Sequence, residues 1–572
     1  MGEPIAIVGT ACRFPGSANS PSKLWDLLHE ARDVVCNFPP ERLNLSNFYS
    51  QNGESHGRTD VHQKSYLLQE DVRLFDAAFF RINPKEAAGM DPQHRILLET
   101  AYEAFEAAGW PLHAMEGSQT SVHVGVMTDD YYTIQARDPD TMDSHAATGL
   151  SRSILSNRVS YAFNLKGPSM TVDTACSSSL VALHLAVQGL RKGEAAQALV
   201  AGVNLLLDPH WFITESSLHM LSPDSRSRMW DKDANGYARG DGCAAVVLKP
   251  LSKAIQDGDH IECVIRETGV NSDGRTDGVT MPSPVAQAAL IRQTYRNSGL
   301  DPVADRCQYF ECHGTGTQAG DPVEACAIRD AFFPDNITHE ESPLYCGSIK
   351  TVIGHLEGCA GLAGLLKASL AIQNEAIPPN MHFNELSPSV EPFYTNLRVP
   401  KSLLPWPETR GKPRRASINS FGFGGTNAHA IIESFHSQPH EPSPVAAWPA
   451  LFDGDEDGSK SGPGFIGPFV FSASSRTSLI NSLKGLLDHL HANPSLDLDA
   501  LSYVLQSRRT IFSHRIAIPA SQDRQSFVKK LEEQINIAGN TPIESSFGVR
   551  ALNSSESEER HGILGIFTGQ VS

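Results

Sequence analysis

The chain has 572 residues, 40% of them apolar and 20% charged, and a formal charge of -18 at pH 7. That balance describes a globular protein rather than a disordered or fibrous one, with room for about two to four domains. The acidity disfavours nucleic acid as a partner, because phosphate needs a basic face, and no apolar run approaches the roughly 20 residues of a membrane helix.

The opening segment "MGEPIAIVGTACRFPG" carries a short apolar run with no basic flank, which reads as a first buried strand rather than a signal peptide. Ten cysteines scattered without clustering fit a reducing compartment, and the expected location is cytoplasmic. From Pro4 to about Phe435, β-branched runs such as "SVHVGV", "QALVAGVNLLL" and "CAAVVLK" alternate with helical stretches, the pattern of layered α/β structure. The pattern pauses near Pro250 and resumes at "IECVIRETGVNSDG", so residues 1–435 divide into halves of about 1–250 and 251–435, too dissimilar to align as a repeat. Residues 436–466, rich in Pro, Gly, Ser and acid, predict a flexible linker. Beyond it, 467–572 reads as a small α/β unit with strands at "PFVFSAS" and "HRIAIPA" and an amphipathic helix at "SLINSLKGLLDHLHAN". It ends on a strand-like "ILGIFTG" with nothing after it to pack on.

Four segments carry candidate chemistry. In "TVDTACSSSL" a β-like run meets a helical one through Leu180, Leu183, Leu185, Val187 and Leu190, which puts Cys176 at a helix N-terminus. Unpaired N–H groups and the dipole there favour a thiolate. A lone cysteine is also commonly a buried structural thiol, and position alone leaves both readings open. "ECHGTGTQAGDPVEA" sets His313 at a strand end before a Gly/Thr turn, with the hydroxyls of Thr315 and Thr317 available to a ligand. Cys307, Cys312 and His313 are badly spaced for zinc, and no metal is expected. "GSIKTVIGHLEGCAGLAG" supplies Lys350 and His355 beside a helix dense in Gly and Ala, and "NSFGFGGTNAHAIIE" has a glycine turn around Phe423 whose N–H groups suit an oxyanion hole. Taken singly, each of these could be a satisfied loop histidine, a solvated lysine or a plain tight turn.

Taken in order, these motifs, with "PIAIVGTACRFPG" and "FDAAFFRINPKEAAGMDPQHRILLETAYEAFEAAG", resemble those of the β-ketoacyl synthases over Pro4 to about Ser434. The segments "SRSRMWDKDANGYARGDG" and "IECVIRETGVNSDGRTDGVTMPS" look most like fungal highly reducing polyketide synthases, among them lovastatin nonaketide synthase-like enzymes and polyketide–peptide hybrids. The unit from Gly467 resembles the linker between ketosynthase and acyltransferase, ending at the first strand of a missing acyltransferase.

The resemblance implies a thiolase-like fold of two related α/β halves in five layers, αβαβα, acting as a homodimer. It implies that Cys176 is the acyl-accepting nucleophile and that His313 and His355 are the pair supporting decarboxylation. Lys350 would orient its neighbours, Phe423 would be the gatekeeper whose N–H completes the oxyanion hole with that of Cys176, and Thr315 and Thr317 would touch pantetheine. Acyl and malonyl thioesters would arrive on an acyl carrier protein bearing phosphopantetheine, with no cofactor bound by this chain. Because carrier proteins are usually acidic, "RGKPRR", Arg410 to Arg415, is a candidate docking patch. Departures from the family's usual residues are Cys312 for alanine, Ser225 for glycine and Asp241 for glutamate. Two other readings stand beside condensation: a truncated or trans-acting fragment without independent turnover, and a Cys/His hydrolase, which leaves the second histidine and Lys350 unexplained.

Overall fold

The computed structural model describes residues 2–51, 56–334, 343–435, 468–519, 521, 523–540 and 547–550. Nearly all of the expected linker at 436–466 and the strand-like "ILGIFTG" lie outside the described residues. The chain divides into two compact units, Met1–Val445 and Ala446–Ser572.

One mixed sheet of 11 strands organises the first unit. Its strands are β1 (Ile5–Arg13), β2 (Thr120–Gly125), β3 (Ser169–Val172), β4 (Gln197–Asn204) and β5 (Gly242–Pro250). There follow β6 (Cys263–Ser272), β7 (Tyr309–Glu311), β8 (Leu344–Gly347), β9 (Leu397–Arg398), β10 (Arg415–Phe421) and β11 (Thr426–Glu433). Across the sheet the order is β9-β8-β7-β10-β11-β6-β1-β5-β4-β2-β3. The run β3-β2-β4-β5-β1 and the run β8-β7-β10-β11-β6 repeat one arrangement. In chain order within each run, the first strand pairs antiparallel with the last, the last antiparallel with the fourth, and the remaining two pairings are parallel. Halves too dissimilar to align by sequence therefore share a topology, and they join where Ile5–Ile7 of β1 run antiparallel to Cys263–Ile265 of β6.

Strand β1 shows why these segments read as near-continuous apolar runs. Ile5 and Ile7 enter one core and Ala6 and Val8 the core on the opposite face, so neither face meets water. Helices α1 (Pro92–Ala107) and α2 (Arg152–Ala162) pack on strands of the first half, and α4 (Pro284–Asn297) packs on the second half and against α5 (Gly320–Phe332). Between the halves lie α3 (Ser178–Arg191) and α6 (Ala360–Gln373), completing the thiolase-like αβαβα layering. A central helix has no wet side, and α6 is buried from Ala360 through Ile372. Even its Lys367 is buried, paired with Glu311 at 2.9 Å. The two middle helices touch at Gly361, where an added Cβ would lie 2.7 Å from Cβ of Leu180. Leu185, which the sequence places on the apolar stripe of α3, is instead 37% exposed.

In the second unit, β12 (Phe469–Ala473), β13 (His514–Ile518) and β14 (Val549–Arg550) form an antiparallel sheet in that order. Helix α7 (Arg476–Ala492) covers the expected amphipathic stretch, joined by α8 (Leu498–Ser507) and α9 (Arg524–Asn540). Phe469, Phe471, Leu479, Leu483, Phe527 and Leu531 make its core.

Gly361→Val forces two methyl-bearing helices into a backbone-close crossing. It is expected to destabilise the first unit by about 1–3 kcal/mol, read as a lower urea midpoint with an unchanged slope.

Candidate active site

Cys176 stands between β3 and α3, one residue ahead of the N-cap Ser177. Ala175 before it has φ of 57°, a left-handed conformation that costs a residue with a side chain roughly 1–3 kcal/mol and persists only where its surroundings impose it. Those surroundings are polar and local: Ser177 Oγ donates to the Thr174 carbonyl at 2.9 Å, and Ser420 Oγ donates to the Cys176 carbonyl at 2.8 Å. The close approach of the second tie requires Gly422, since a Cβ there would sit 2.2 Å from the Thr174 oxygen.

The resting sulfur is not the exposed thiolate that its position suggests. Cys176 is buried and its Sγ faces Glu357 Oε2 at 3.6 Å. Burial first, then the carboxylates of Glu357 and Glu215, push the thiol well above its ordinary value, so it carries its proton at neutral pH.

His313 follows β7 and His355 precedes α6, and their rings meet edge to face at 5.6 Å between centroids. Each is held in the same tautomer by a backbone N–H. Phe421 N donates to His313 Nδ1 at 3.2 Å, and Glu357 N donates to His355 Nδ1 at 3.1 Å. A nitrogen that accepts has no proton, so both rings carry theirs on Nε2. His355 Nε2 is buried and makes no hydrogen bond within the protein. Burial depresses both imidazoles well below the ordinary histidine range, with Lys350 adding to it, so both are neutral donors.

Lys350 is buried rather than solvated, with its ammonium among Glu311, Glu324 and the Cys176 sulfur. Burial lowers its pKa against the pull of those acids. Cys176, His313, His355, Thr315, Thr317 and Phe423 all line one cavity of about 430 Å³. Thr315 and Thr317 sit with their hydroxyls 3.2 Å apart. Lys350 is not in that lining and acts from behind it.

In the basic "RGKPRR" motif most of the charges have carboxylate partners in the same chain. Lys412 pairs with Asp305 at 3.1 Å, Arg414 with Glu375 at 2.9 Å, and the buried Arg415 with Glu433 at 2.6 Å, its cross-strand partner. Three of its four charges are therefore paired with carboxylates, Arg415 in the interior and Lys412 and Arg414 at the surface. Among the three departures, Ser225 has φ of 57°, which explains why glycine suits that position. Asp241 is buried against Arg42 at 2.6 Å, and Cys312 is buried away from oxidants.

Several residues of the site escape the sequence reading. Glu324 accepts from the backbone N–H of His313 and of Gly314, each at 2.8 Å, and so shapes the histidine turn. Glu357 is fully buried at φ of 43° and shares Arg239 with Glu215, at 3.3 and 3.1 Å. The available signal is an acid inside otherwise small and apolar segments, as in "GHLEGCAGLAG". Among the described residues, Cys176, His355 and Glu357 form the group whose potential ligand atoms all lie within 4.8 Å of one another. The proton on His355 Nε2 occupies the lone-pair position an ion needs, so that ring is built to donate and not to ligate.

A duplicated thiolase-like fold with a Cys/His/His cavity defines the class of carbon–carbon condensing enzymes. The chain matches the β-ketoacyl synthase N-terminal domain over residues 2–254, the C-terminal domain over 262–384 and the ketoacyl-synthetase C-terminal extension over 387–516. It is similar to the ketosynthase from module 6 of the bacillaene synthase of Bacillus subtilis, with 34% identity, a TM-score of 0.81, 93% of this chain and 85% of that one covered. The oxazolomycin ketosynthase domain from Streptomyces albus gives 32% identity and a TM-score of 0.82, covering 93% of this chain and 88% of that one. Among curated proteins, the hybrid PKS-NRPS synthetase lepA of Aspergillus flavus is 60% identical over 569 residues, 99% of this chain and 14% of that protein. The highly reducing polyketide synthase ACTTS3 of Alternaria alternata is 57% identical over 569 residues, 99% of this chain and 22% of its own length. The chain belongs to the β-ketoacyl synthase family as a ketosynthase of the polyketide synthase type, and it spans about a seventh to a fifth of those curated relatives.

Nitrogen NMR of labelled protein should report His313 and His355 as neutral Nε2–H tautomers from about pH 6 to 8, since burial places both titrations below the ordinary histidine value of about 6.5. Lowering the pH must then protonate buried rings whose unfolded counterparts protonate first, so these two groups weaken folding as pH falls below that value.

Proposed function

We propose that this chain carries out decarboxylative Claisen condensation, joining an acyl group held on Cys176 to a malonyl unit delivered by an acyl carrier protein. The observation that carries the reading is the pair of Nε2–H donors, both fixed by backbone N–H groups and both lining the cavity that holds the Cys176 sulfur.

In the first half-reaction the acyl chain passes from a carrier thioester to Cys176, a soft nucleophile that is also a good leaving group. In the second, malonyl thioester loses carbon dioxide and its thioester oxygen takes up the enolate charge. Two neutral N–H donors in a dry cavity, preset before the charge develops, stabilise it without reorganising. Burial, with Lys350 adding to it, keeps both rings neutral, which matters because an imidazolium would hand over its proton and quench the nucleophilic carbon. The enolate carbon then attacks the Cys176 thioester, with the backbone N–H groups of Cys176 and Phe423 receiving the oxyanion. Thr315 and Thr317, at the cavity wall, suit hydrogen bonds to the amides of a pantetheine arm.

Phosphopantetheine arrives on the carrier partner, a homodimer is the working form, and a cytoplasmic setting agrees with ten free cysteines. A Cys/His hydrolase would use a histidine as base to the thiol. Here neither imidazole offers its Nε2 lone pair to Cys176, which favours condensation.

Cys176→Ala should abolish covalent acyl loading by mass spectrometry of the intact protein, and persistent loading would sink the nucleophile assignment. His313→Ala and His355→Ala should still load but decarboxylate malonyl carrier roughly 100- to 1,000-fold more slowly, the usual loss for one oxyanion donor.

A further inference from the structure

Neither histidine accounts for the thiol proton. Cys176 must lose it to become a nucleophile, yet each ring already holds a proton on Nε2 and accepts a backbone N–H on Nδ1. The acceptor actually in front of the sulfur is Glu357, whose Oε2 lies 3.6 Å from Sγ and 3.7 Å from His355 Nε2.

We propose that Glu357 is the general base of acyl loading: it takes the proton of Cys176 as the sulfur attacks and returns it to the departing carrier thiolate. The assignment rests on the condensing reading above and adds a catalytic residue to it. The step balances without a co-reactant. A bond forms between Sγ and the acyl carbon, and the bond from that carbon to the pantetheine sulfur breaks. The proton moves from Sγ to Oε2 and then to the released thiol, so Glu357 ends as it began.

Three features of the structure support a proton-carrying rather than a merely charged Glu357. It is fully buried, and its one guanidinium partner, Arg239, is shared with the equally enclosed Glu215. Two carboxylates sharing one guanidinium leave a negative charge over, and the cheapest remedy in a dry interior is one proton held by one of the two, which leaves the other free to accept from Sγ. Burial raises the Glu357 carboxyl above the ordinary carboxylate range, while Arg239 and, more weakly, Lys350 oppose that rise and favour its ionised form. Its backbone is also held at φ of 43°, a strain that turns the side chain under the sulfur while its own N–H fixes His355. Charged and titratable groups facing it are Cys176, His355, Lys350, Arg239, Glu215 and Tyr237.

The decisive variant is Glu357→Gln, which keeps the shape, the backbone N–H to His355 and the bond from Arg239. Loading of Cys176 from a small acyl thioester, followed by rapid quench and mass spectrometry, should slow about 100-fold or more. Wild-type loading should level off once Glu357 is ionised, whereas the variant should climb about tenfold per pH unit with its bare thiolate fraction. Malonyl-carrier decarboxylation by variant protein given time to load fully should fall far less than loading does, because the backbone N–H that fixes His355 is retained. Wild-type loading rates and pH profile retained in the variant would overturn the proposal, and so would equal losses in loading and decarboxylation, which would mark Glu357 as a support for His355 alone. Should the variant fail to fold by circular dichroism, loading by the wild-type protein in D2O decides: it should be slowed, and the absence of an isotope effect would remove the base. Failure of wild-type protein to load at all would instead strike the condensing reading itself.

Discussion

Two backbone N–H groups, those of Phe421 and Glu357, set the chemistry of this cavity by donating to Nδ1 of His313 and His355. A peptide N–H cannot reverse its role, so each ring is left with one tautomer and one direction in which to donate. Everything around the rings protects that choice. The turn bearing Phe421 is tied to Cys176 through Ser420 and admitted by the missing side chain of Gly422. The turn bearing His313 is pinned by Glu324, which also receives Asn419 from β10 at 2.9 Å.

Burial decides most of the outcomes in this site. With Lys350 adding to it, burial keeps the imidazoles neutral, and with Glu357 and Glu215 adding to it, burial keeps the thiol protonated despite Lys350 and the start of α3. A helix N-terminus contributes a fraction of a charge that fades within a turn. Removing a sulfur from water and setting it opposite a carboxylate is the larger effect here. The consequence is a Cys176 that rests as a thiol, so the proposed attack on a thioester calls for a base. The acids that surround it are held by cations just as buried: Arg239 by Glu215 and Glu357, and Lys367 by Glu311.

The duplicated topology explains how such a cavity is assembled. In each half the segment after the third strand leads into a helix of the middle layer, β3 into α3 and β8 into α6. Cys176 and His355 therefore come from matching places in the two halves, brought face to face by helices that pack at Gly361. His313 follows the second strand of its half, and Phe423 sits in the β10–β11 turn, so all four reach the cavity from ends of elements rather than from their middles.

The sequence alone carried the α/β alternation, the main strands and the helix after Cys176, because periodicity and turn residues are local, while the candidate site residues came from the order of motifs that resemble the β-ketoacyl synthases. It did not carry the equality of the two halves, which lies in hydrogen-bond pairing and not in side-chain identity. Nor did it reveal the state of Cys176, the tautomers of His313 and His355, or the contacts of Glu357 and Arg239. Those depend on partners far along the chain, 181 residues apart for Cys176 and Glu357 and 118 for Arg239 and Glu357. The "RGKPRR" stretch shows the same limit from the other side, since a run of basic residues looks free until its carboxylate partners arrive from other strands and loops. Residue type is written in the chain, but which proton each residue holds is fixed only when folding removes water and chooses its neighbours.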